Sequence, residues 1–176
     1  MGKEIILKKL KPEDWAEYKK IRLEALEKEP TAFAMSFEEE VGRSDDLWST
    51  KLDPSGDLLN YMIFACDGNE VIGMAGIFQN EKTKLKHISN IYGVYLRESY
   101  RGRGIGKAML EIMINEAKKA PGVAKISLSV NTEQLPAVRS YEKAGFKNIG
   151  KVEREMKVGN KYYDEYIMEM LLPDKE

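Results

Sequence analysis

The sequence predicts a mixed α+β fold in which helices flank a central, mostly antiparallel sheet, in the order β-α-α-β-β-β-α-β-α-β-β. Two observations predict it. The turn sequences "DGNE" and "GN" indicate antiparallel hairpins near the front and the back of the chain. Between them, a strand, a glycine-rich loop and a helix follow one another, as in a crossover connection. The sheet must therefore contain both parallel and antiparallel neighbours.

Length and composition exclude several classes of protein. The 176 residues suffice for one full hydrophobic core, so we predict a single domain over residues 1–176. The chain is 43% hydrophobic and 32% charged, has a net charge of −1, and contains no long apolar run or signal-peptide core. One cysteine, Cys66, cannot form an internal disulfide. We predict a cytoplasmic protein without membrane, nucleic-acid or metal partners, and a homodimer stays open.

The first third of the chain reads as one strand and two helices, followed by a short capped turn. Lys3–Leu10 is β-prone, and Pro12 stands where a helix can begin. Apolar and aromatic residues then recur at helical spacing until Pro30. A second helix is predicted from the four-residue repeat of Phe33, Phe37 and Val41. After it, Ser44 can cap a short third turn through Asp45, Asp46 and Trp48.

The remaining elements alternate between strands and helices. Glycine or proline signals close both predicted helices, "APG" after the first and Gly145 after the second. The predicted strands are Tyr61–Cys66, Val71–Gln79, Ile88–Leu96, Lys125–Val130, Phe146–Val158 and Lys161–Leu172. The predicted helices are Lys107–Lys119 and Pro136–Ala144.

The glycine-rich loop before the first of these helices is suited to a phosphate, because a helix N-terminus presents unpaired amides and a positive dipole end. Two common nucleotide loops fail on spacing. In the P-loop pattern, Arg101 stands where the first glycine is required, and Ala108 follows Lys107. The dinucleotide pattern G-x-G-x-x-G fails because Gly102, Gly104 and Gly106 run G-x-G-x-G.

The pattern [RQ]-x-x-G-x-[GA] is matched at Arg101, Gly104 and Gly106, directly after a strand and at the start of a helix. This resembles the acetyl-CoA signature of the GNAT superfamily of N-acetyltransferases. A later block, "LSVNTEQLPAVRSYEKAGF", resembles the superfamily's motif of an Asn after a strand and a short helix that ends in Gly-Phe. The resemblance covers the whole chain and implies a GNAT-like fold with acetyl-CoA as co-substrate.

The resemblance implies a pyrophosphate site in the loop and a pantetheine site along the preceding strand. The loop residues are Arg101, Gly102, Arg103, Gly104, Ile105, Gly106 and Lys107. The strand before it would splay from its neighbour, so that backbone groups at Val94 and Leu96 pair with pantetheine while Tyr95 points to the opposite face. Gly93 is compatible with a bulge. The alternatives are a glycine-rich turn with solvent-exposed arginines, or an RNA contact.

Three residues of the later block would complete the site. Asn131 would bond the pantetheine arm, although an asparagine that only starts a helix is an alternative. Ala137 and Tyr141 share one helix face. Tyr141 would act as general acid, because the oxyanion and the departing thiolate both need a donor; the alternative is a packed core tyrosine.

The general base is not identified by sequence. The position where the superfamily often carries a carboxylate falls at about Asn90, which cannot act as a base. Cys66 would be required for an acyl-enzyme, and its place in a hairpin strand favours a structural thiol, so we predict direct transfer in a ternary complex. The weak base candidates are Glu38, Glu39, Glu40, Asp164, Glu165 and His87.

The sequence thus predicts an acyltransferase that moves an acetyl group from acetyl-CoA to a primary amine, in which a small-molecule acceptor enters between the early helices and the final hairpin. The acids among residues 38–40 and 164–165 would attract a cationic amine such as a polyamine or an aminoglycoside. Two alternatives stay open: a catalytically silent acyl-CoA sensor or docking module, and an acetyltransferase acting on protein N-termini or lysines.

Overall fold

The computed structural model describes residues 4–53 and 59–173 and contains one seven-stranded sheet with strand order β1-β2-β3-β4-β5-β7-β6. β4 and β5 are parallel, and the other neighbouring pairs are antiparallel. The strands are β1 (Ile5–Lys8), β2 (Asn60–Asp67), β3 (Glu70–Gln79), β4 (Ile88–Leu96), β5 (Lys125–Asn131), β6 (Lys147–Val158) and β7 (Lys161–Leu171). The helices are α1 (Trp15–Lys28), α2 (Phe37–Val41), α3 (Asp45–Thr50), α4 (Ile105–Lys119) and α5 (Leu135–Ala144). The predicted mixed, mostly antiparallel sheet is confirmed.

Helices pack on both faces of this sheet and give two hydrophobic clusters. On one side, called the α4 face, residues of α4 and α5 pack on alternate strand residues, among them Ile72, Ile126 and Met168. On the other side, called the α1 face, the helices α1 and α3 pack on β2 to β4. The buried residues of this second cluster include Tyr18, Ile21, Trp48, Phe64, Met74 and Tyr95. No helix in the described part of the chain is long and apolar enough to cross a membrane.

Two predicted elements are shorter in the structure. The described part of the first strand is limited to Ile5–Lys8. The prediction that Phe33 belongs to the second helix is wrong, because Ser36 caps that helix and Phe37 is its first residue. The Ser36 amide donates to Glu39 Oε2 at 2.7 Å, and the Glu39 amide donates to Ser36 Oγ at 3.3 Å. Phe33 is nevertheless buried, in the turn before the helix.

A buried carboxylate joins the three early helices. Glu40 is 1% exposed, and its oxygens lie 2.7 Å from Arg22 Nε, 3.3 Å from an Arg43 guanidinium nitrogen and 3.4 Å from Lys51 Nζ. Burial alone raises the pKa of the Glu40 carboxyl, but the hydrogen bond and charge of Arg22 outweigh it and hold that pKa below its usual value. The ionised form is therefore the one that stabilises the fold.

Glu40→Gln is expected to lower the free energy of unfolding by about 3 kcal/mol at neutral pH, because three cations lose their shared partner. Urea unfolding measures this loss. Since the pKa is depressed in the folded state, the contribution of Glu40 is present at neutral pH and disappears as the pH falls through the folded pKa, so the two proteins converge in acid. Glu38→Gln, at an exposed site in the same helix, is the matched control. Equal stability of wild type and Glu40→Gln at neutral pH would contradict the assignment.

Candidate functional site

A cleft opens where the two parallel strands separate. The ladder between β4 and β5 covers only Ile88–Asn90 against Lys125–Ser127, and beyond it the two strands diverge toward their C-terminal ends. Residues 91–94 of β4 form one wall, and residues 129–131 of β5 form the other. Ala137 and Tyr141 of α5 also line the cleft. A split in the middle of a sheet can accept an extended ligand that pairs with exposed strand edges.

A bulge shapes the β4 wall. Met74 pairs with Tyr95 and Gly76 with Tyr92, so the single residue between them on β3 faces two residues, Gly93 and Val94, on β4. Gly93 has a φ of +63°, a conformation in which a side chain is strained. Because of the extra residue, the strand alternation is interrupted between Tyr92 and Tyr95.

Beyond the bulge, side chains of β4 alternate again. Tyr95 packs in the cluster of the α1 face, and its hydroxyl donates to Glu24 Oε1 at 3.1 Å. Val94 and Leu96 pack against the cluster of the α4 face instead. The Tyr95 side chain is therefore directed to the opposite face from the side chains of its two neighbours.

The glycine-rich loop carries β4 into the N-terminus of α4. Gly102 and Gly104 have φ values of +74° and +81°, which favour glycine, and Gly104 is the N-cap residue of α4. The first hydrogen bond of the helix runs from the Ala108 amide to the Gly104 carbonyl at 3.0 Å. The amides of residues 105–107 precede this bond and have no partner within the helix. They form, with the positive end of the helix dipole, a site suited to an anion.

The cationic side chains of the loop have different surroundings. Arg101 donates through Nε to the Leu96 carbonyl at 2.8 Å, and its guanidinium contacts Glu29 Oε1 at 2.7 Å. Arg103 lies over the Tyr100 ring at 5.2 Å. Lys107 is exposed and pairs with Glu111 at 3.5 Å. Ile105 is buried and anchors the first turn of α4 in the core. Of the loop cations, Arg101 is thus fixed by contacts within the protein.

A segment that contains no predicted site residue crosses the end of the cleft. This bridging segment, residues 29–32, joins the two walls. On the β4 side, Glu29 binds Arg101, and on the β5 side its other oxygen accepts from Gln134 Nε2 at 3.4 Å. The Asn131 side chain donates to the Thr31 carbonyl at 3.0 Å. The bridging segment therefore lies on the α1 face, where the two walls are furthest apart.

Asn131 has a structural role in these contacts. It is 2% exposed, and besides its bond to the Thr31 carbonyl, its Oδ1 accepts from the Glu133 amide at 2.8 Å. The second bond closes a turn between β5 and α5, and the N-cap residue of α5 is Gln134. One hydrogen of the Asn131 amide group is left for a further partner in the cleft.

Tyr141 lies on the opposite side of the cleft from the bridging segment. It is 7% exposed, and its ring packs edge-on against Phe146 at 6.0 Å. Its hydroxyl makes no hydrogen bond to any residue that the structure describes. Burial raises the pKa of Tyr141 to about 12, so the phenol keeps its proton at neutral pH. Tyr141 can therefore donate a hydrogen bond or a proton to a group bound in the cleft.

The residues considered as base or nucleophile, and Asn90 at the expected position of the base, are widely separated in space. Asn90 lies at the closed end of the cleft, opposite Ser127, and the exposed His87 precedes β4 at that same end. Cys66 is 1% exposed on β2, two strands away from the cleft, and burial raises its thiol pKa. Glu38 and Glu39 are exposed on α2. Of the candidates, Asp164 and Glu165 lie on β7, the neighbour of β5. No cluster of three or more potential metal ligands occurs among the described residues.

Comparison with known proteins gives a consistent set of relatives. The model of the acetyltransferase (GNAT) family matches residues 13–146. Mycothiol acetyltransferase of Corynebacterium glutamicum strain R is 34% identical over 85 residues, which cover 48% of this chain but only 27% of that protein. L-amino acid N-acetyltransferase AaaT of Escherichia coli K12 is 25% identical over 125 residues, covering 71% of this chain and 75% of that protein.

Solved structures share the fold over nearly the whole chain. A GNAT-family acetyltransferase from Streptococcus pneumoniae superposes with a TM-score of 0.86 at 23% identity, covering 96% of this chain and all of that one. The structure of yncA from Salmonella typhimurium with its cofactor acetyl-CoA gives a TM-score of 0.83 at 15% identity, covering 98% of this chain and 96% of that one. The fold is thus shared by proteins of low sequence identity.

Proposed function

This chain belongs to the acetyltransferase (GNAT) family, and from that premise we propose that it transfers an acetyl group from acetyl-CoA directly to a primary amine of a small molecule, with Tyr141 as general acid. The observation that carries the proposal is the split between β4 and β5. A buried phenol that keeps its proton lines this split, and β4, one of its walls, leads into the glycine-rich loop at the start of α4.

The residues of the cleft fit CoA. A Cβ built at Gly102, Gly104 or Gly106 would meet no heavy atom within 4 Å, so a diphosphate can approach this backbone closely. The unpaired amides of residues 105–107 would bind it, with the exposed cations of Arg103 and Lys107 nearby. Backbone groups at Val94 and Leu96 would pair with the pantetheine arm, with Asn131 and Ala137 on the other wall. The Leu96 carbonyl already accepts from Arg101, so its amide is the group left for this pairing.

Tyr141 has the properties of a donor at the departing sulfur. Bound acetyl-CoA supplies a thioester, whose sulfur leaves as a thiolate when an amine attacks. The phenol lines the cleft, and no described side chain competes for its hydroxyl. Its pKa of about 12 keeps it protonated throughout the pH range of most enzymes. A donor aimed at developing negative charge in a buried site accelerates such steps by about 100-fold or more.

Direct transfer is favoured over an acyl-enzyme. The chain's one cysteine, Cys66, is buried on β2, with β3 and β4 between it and the cleft wall of β5. Its raised pKa keeps it as a thiol, which is a poor nucleophile. Both substrates must therefore be bound together.

The acceptor side is the α1 face, since α4 and α5 cover the other face of the cleft. A small amine is supported by the name of the Escherichia coli relative, which describes an acetyltransferase of L-amino acids. It is also supported by the position of the bridging segment, residues 29–32, which narrows the α1 side of the cleft at its open end.

The proposal is tested by a panel of amines incubated with acetyl-CoA, with free thiol release and product mass as readouts. The panel contains L-amino acids, polyamines, aminoglycosides, and peptides with a free N-terminus or an internal lysine. We expect thiol release coupled to acetylation of a small amine. If only the peptides are acetylated, the acceptor is a protein and not a small molecule. Tight CoA binding, measured by calorimetry, without thiol release for any amine would favour the sensor alternative.

A further inference from the structure

An amine that attacks a thioester must lose a proton, and Tyr141 cannot take it because burial keeps the phenol protonated. We propose that Glu165 of β7 is the general base that takes this proton, an inference that rests on the acetyl transfer proposed above. The central strand carries Asn90 instead of a carboxylate, so the base would be supplied by a strand on the other side of the cleft.

The strand register places Glu165 beside the cleft. In the antiparallel pair of β5 and β7, Asn131 lies opposite Glu165 and Ser129 opposite Ile167. Residues directly opposite in such a pair point to the same face, and Val130, between Ser129 and Asn131, packs in the cluster of the α4 face. Ser129, Asn131 and Glu165 therefore share the α1 face. Two of the three line the cleft, and the Asn131 side chain reaches the bridging segment there.

This face is accessible to an acceptor. Ser129 is exposed and Glu165 is half-buried, whereas the α4 face of β5 packs against helices. Tyr141 belongs to α5, on that covered face. An acid and a base on opposite faces of the split would let the amine approach from one face while the sulfur receives its proton from the other.

Glu165 differs from three neighbouring acids in having no cationic partner. Asp164 contacts Lys151 at 3.0 Å, Glu169 contacts Lys125 at 2.6 Å, and Glu133 contacts Lys161 at 2.8 Å. No cation within 4 Å of Glu165 occurs among the described residues. A carboxylate without an ion pair is free to accept a proton or to bind an ammonium group.

The surroundings of Glu165 make its carboxylate a stronger base than a surface glutamate. Burial raises the pKa of the Glu165 carboxyl, the charge of Glu155 on β6 raises it further, and a contact with the Ser129 hydroxyl offsets part of the rise. On β7 itself, the alternation places Tyr163 and Ile167 on the same face, and the ion pair of Lys125 with Glu169 lies four residues further along. β5 contributes Ser129 and Asn131, which do not titrate.

The other carboxylates fit the role less well. Asp164 is adjacent to Glu165 in a strand and so points to the other face, and the Arg154 amide and Lys151 hold its pKa below the usual value. Glu40 is enclosed by three cations and has a lowered pKa. His87 lies at the closed end of the cleft.

The proposed step balances as follows. Glu165 removes a proton from the acceptor amine as the new nitrogen–carbon bond forms. The carbon–sulfur bond breaks with its electron pair on sulfur, and Tyr141 donates its phenolic proton there, so that CoA leaves as a thiol. Glu165 then releases its proton to solvent, and the Tyr141 phenolate takes up a proton from solvent.

Glu165→Gln tests the proposal in the full chain, with the acceptor found by the amine panel. We expect kcat/KM to fall about 100-fold at neutral pH, and the acidic limb of the pH profile to lose the Glu165 inflection, while the Kd for CoA is unchanged. Glu165→Asp should restore part of the activity and the inflection. Glu153→Gln, at an exposed hairpin position, is the matched control and should behave like wild type.

A second variant tests the same assignment if Glu165→Gln does not fold. Glu155→Gln removes the charge that raises the Glu165 pKa, so the acidic limb should move to lower pH with turnover retained. No movement, or wild-type kcat/KM and pH profile in Glu165→Gln, would overturn the assignment of Glu165. A wild-type protein that acetylates no amine at all would refute the proposed function instead, so the two failures are distinguishable.

Discussion

Gly104→Glu is expected to abolish acetyl-CoA binding, with a rise in Kd of at least ~100-fold from like-charge repulsion of the diphosphate. Gly104 is the N-cap residue of α4 and adopts a φ of +81°. A glutamate there would place a carboxylate among the amides that we assign to the diphosphate, and backbone strain would add about 1 kcal/mol. Isothermal titration with CoA measures the effect.

Two controls separate charge from strain. Gly104→Ala carries the strain without the charge, so its Kd should rise much less. Gly159→Glu places the same residue at a φ of +59° in the turn between β6 and β7, where a Cβ also has open space. It should leave the Kd unchanged. Unaltered affinity in Gly104→Glu would refute the assignment of the loop to the diphosphate.

Tyr141→Phe is expected to lower kcat about 100-fold while the Kd for CoA stays the same. The ring keeps its edge contact with Phe146, and the lost hydroxyl has no partner among the described residues. The melting temperature should therefore change little. Steady-state kinetics with the acceptor from the amine panel gives kcat, and thermal unfolding checks the fold.

The pH profile gives an independent test of Tyr141. With a pKa of about 12, Tyr141 remains protonated up to about pH 11, so wild-type activity should not decline through this group at lower pH. Tyr61→Phe is the matched control: the Tyr61 hydroxyl is likewise buried without a partner in the described structure, but it lies on β2. Full activity of Tyr141→Phe would remove Tyr141 from the mechanism.

The sequence predicts elements well where the signal is local. The hairpin turn at "DGNE", the limits of β4 and the helix after the glycine-rich loop depend on residues within one turn of each other, and the structure agrees with them to about two residues. The repeat of Phe33, Phe37 and Val41 misled because a four-residue spacing also arises by chance across a turn. Ser36, with its capping bond to Glu39, sets the true start of the helix.

Only part of the site can be predicted from the sequence, because sequence signals are local. Glu29 and Glu165 resemble the other acidic residues of a chain in which Asp and Glu total 29. Glu29 acquires its role by meeting Arg101 and Gln134, and Glu165 by lying opposite Asn131. Such contacts depend on how distant segments meet in the fold, and one sequence carries no local signal for them.

The short ladder between β4 and β5 also means that the sheet has edges inside the molecule as well as at its rim. An edge strand at the rim is a liability, because any extended chain can pair with it and start aggregation. Inside the cleft, the two edges face each other and helices cover one side. Because both walls are strands of one sheet and helices cover one face, we assign the pairing capacity of these edges to a narrow, extended ligand. The shape of the cleft thus restricts which molecules can pair with its edges before any side chain contributes.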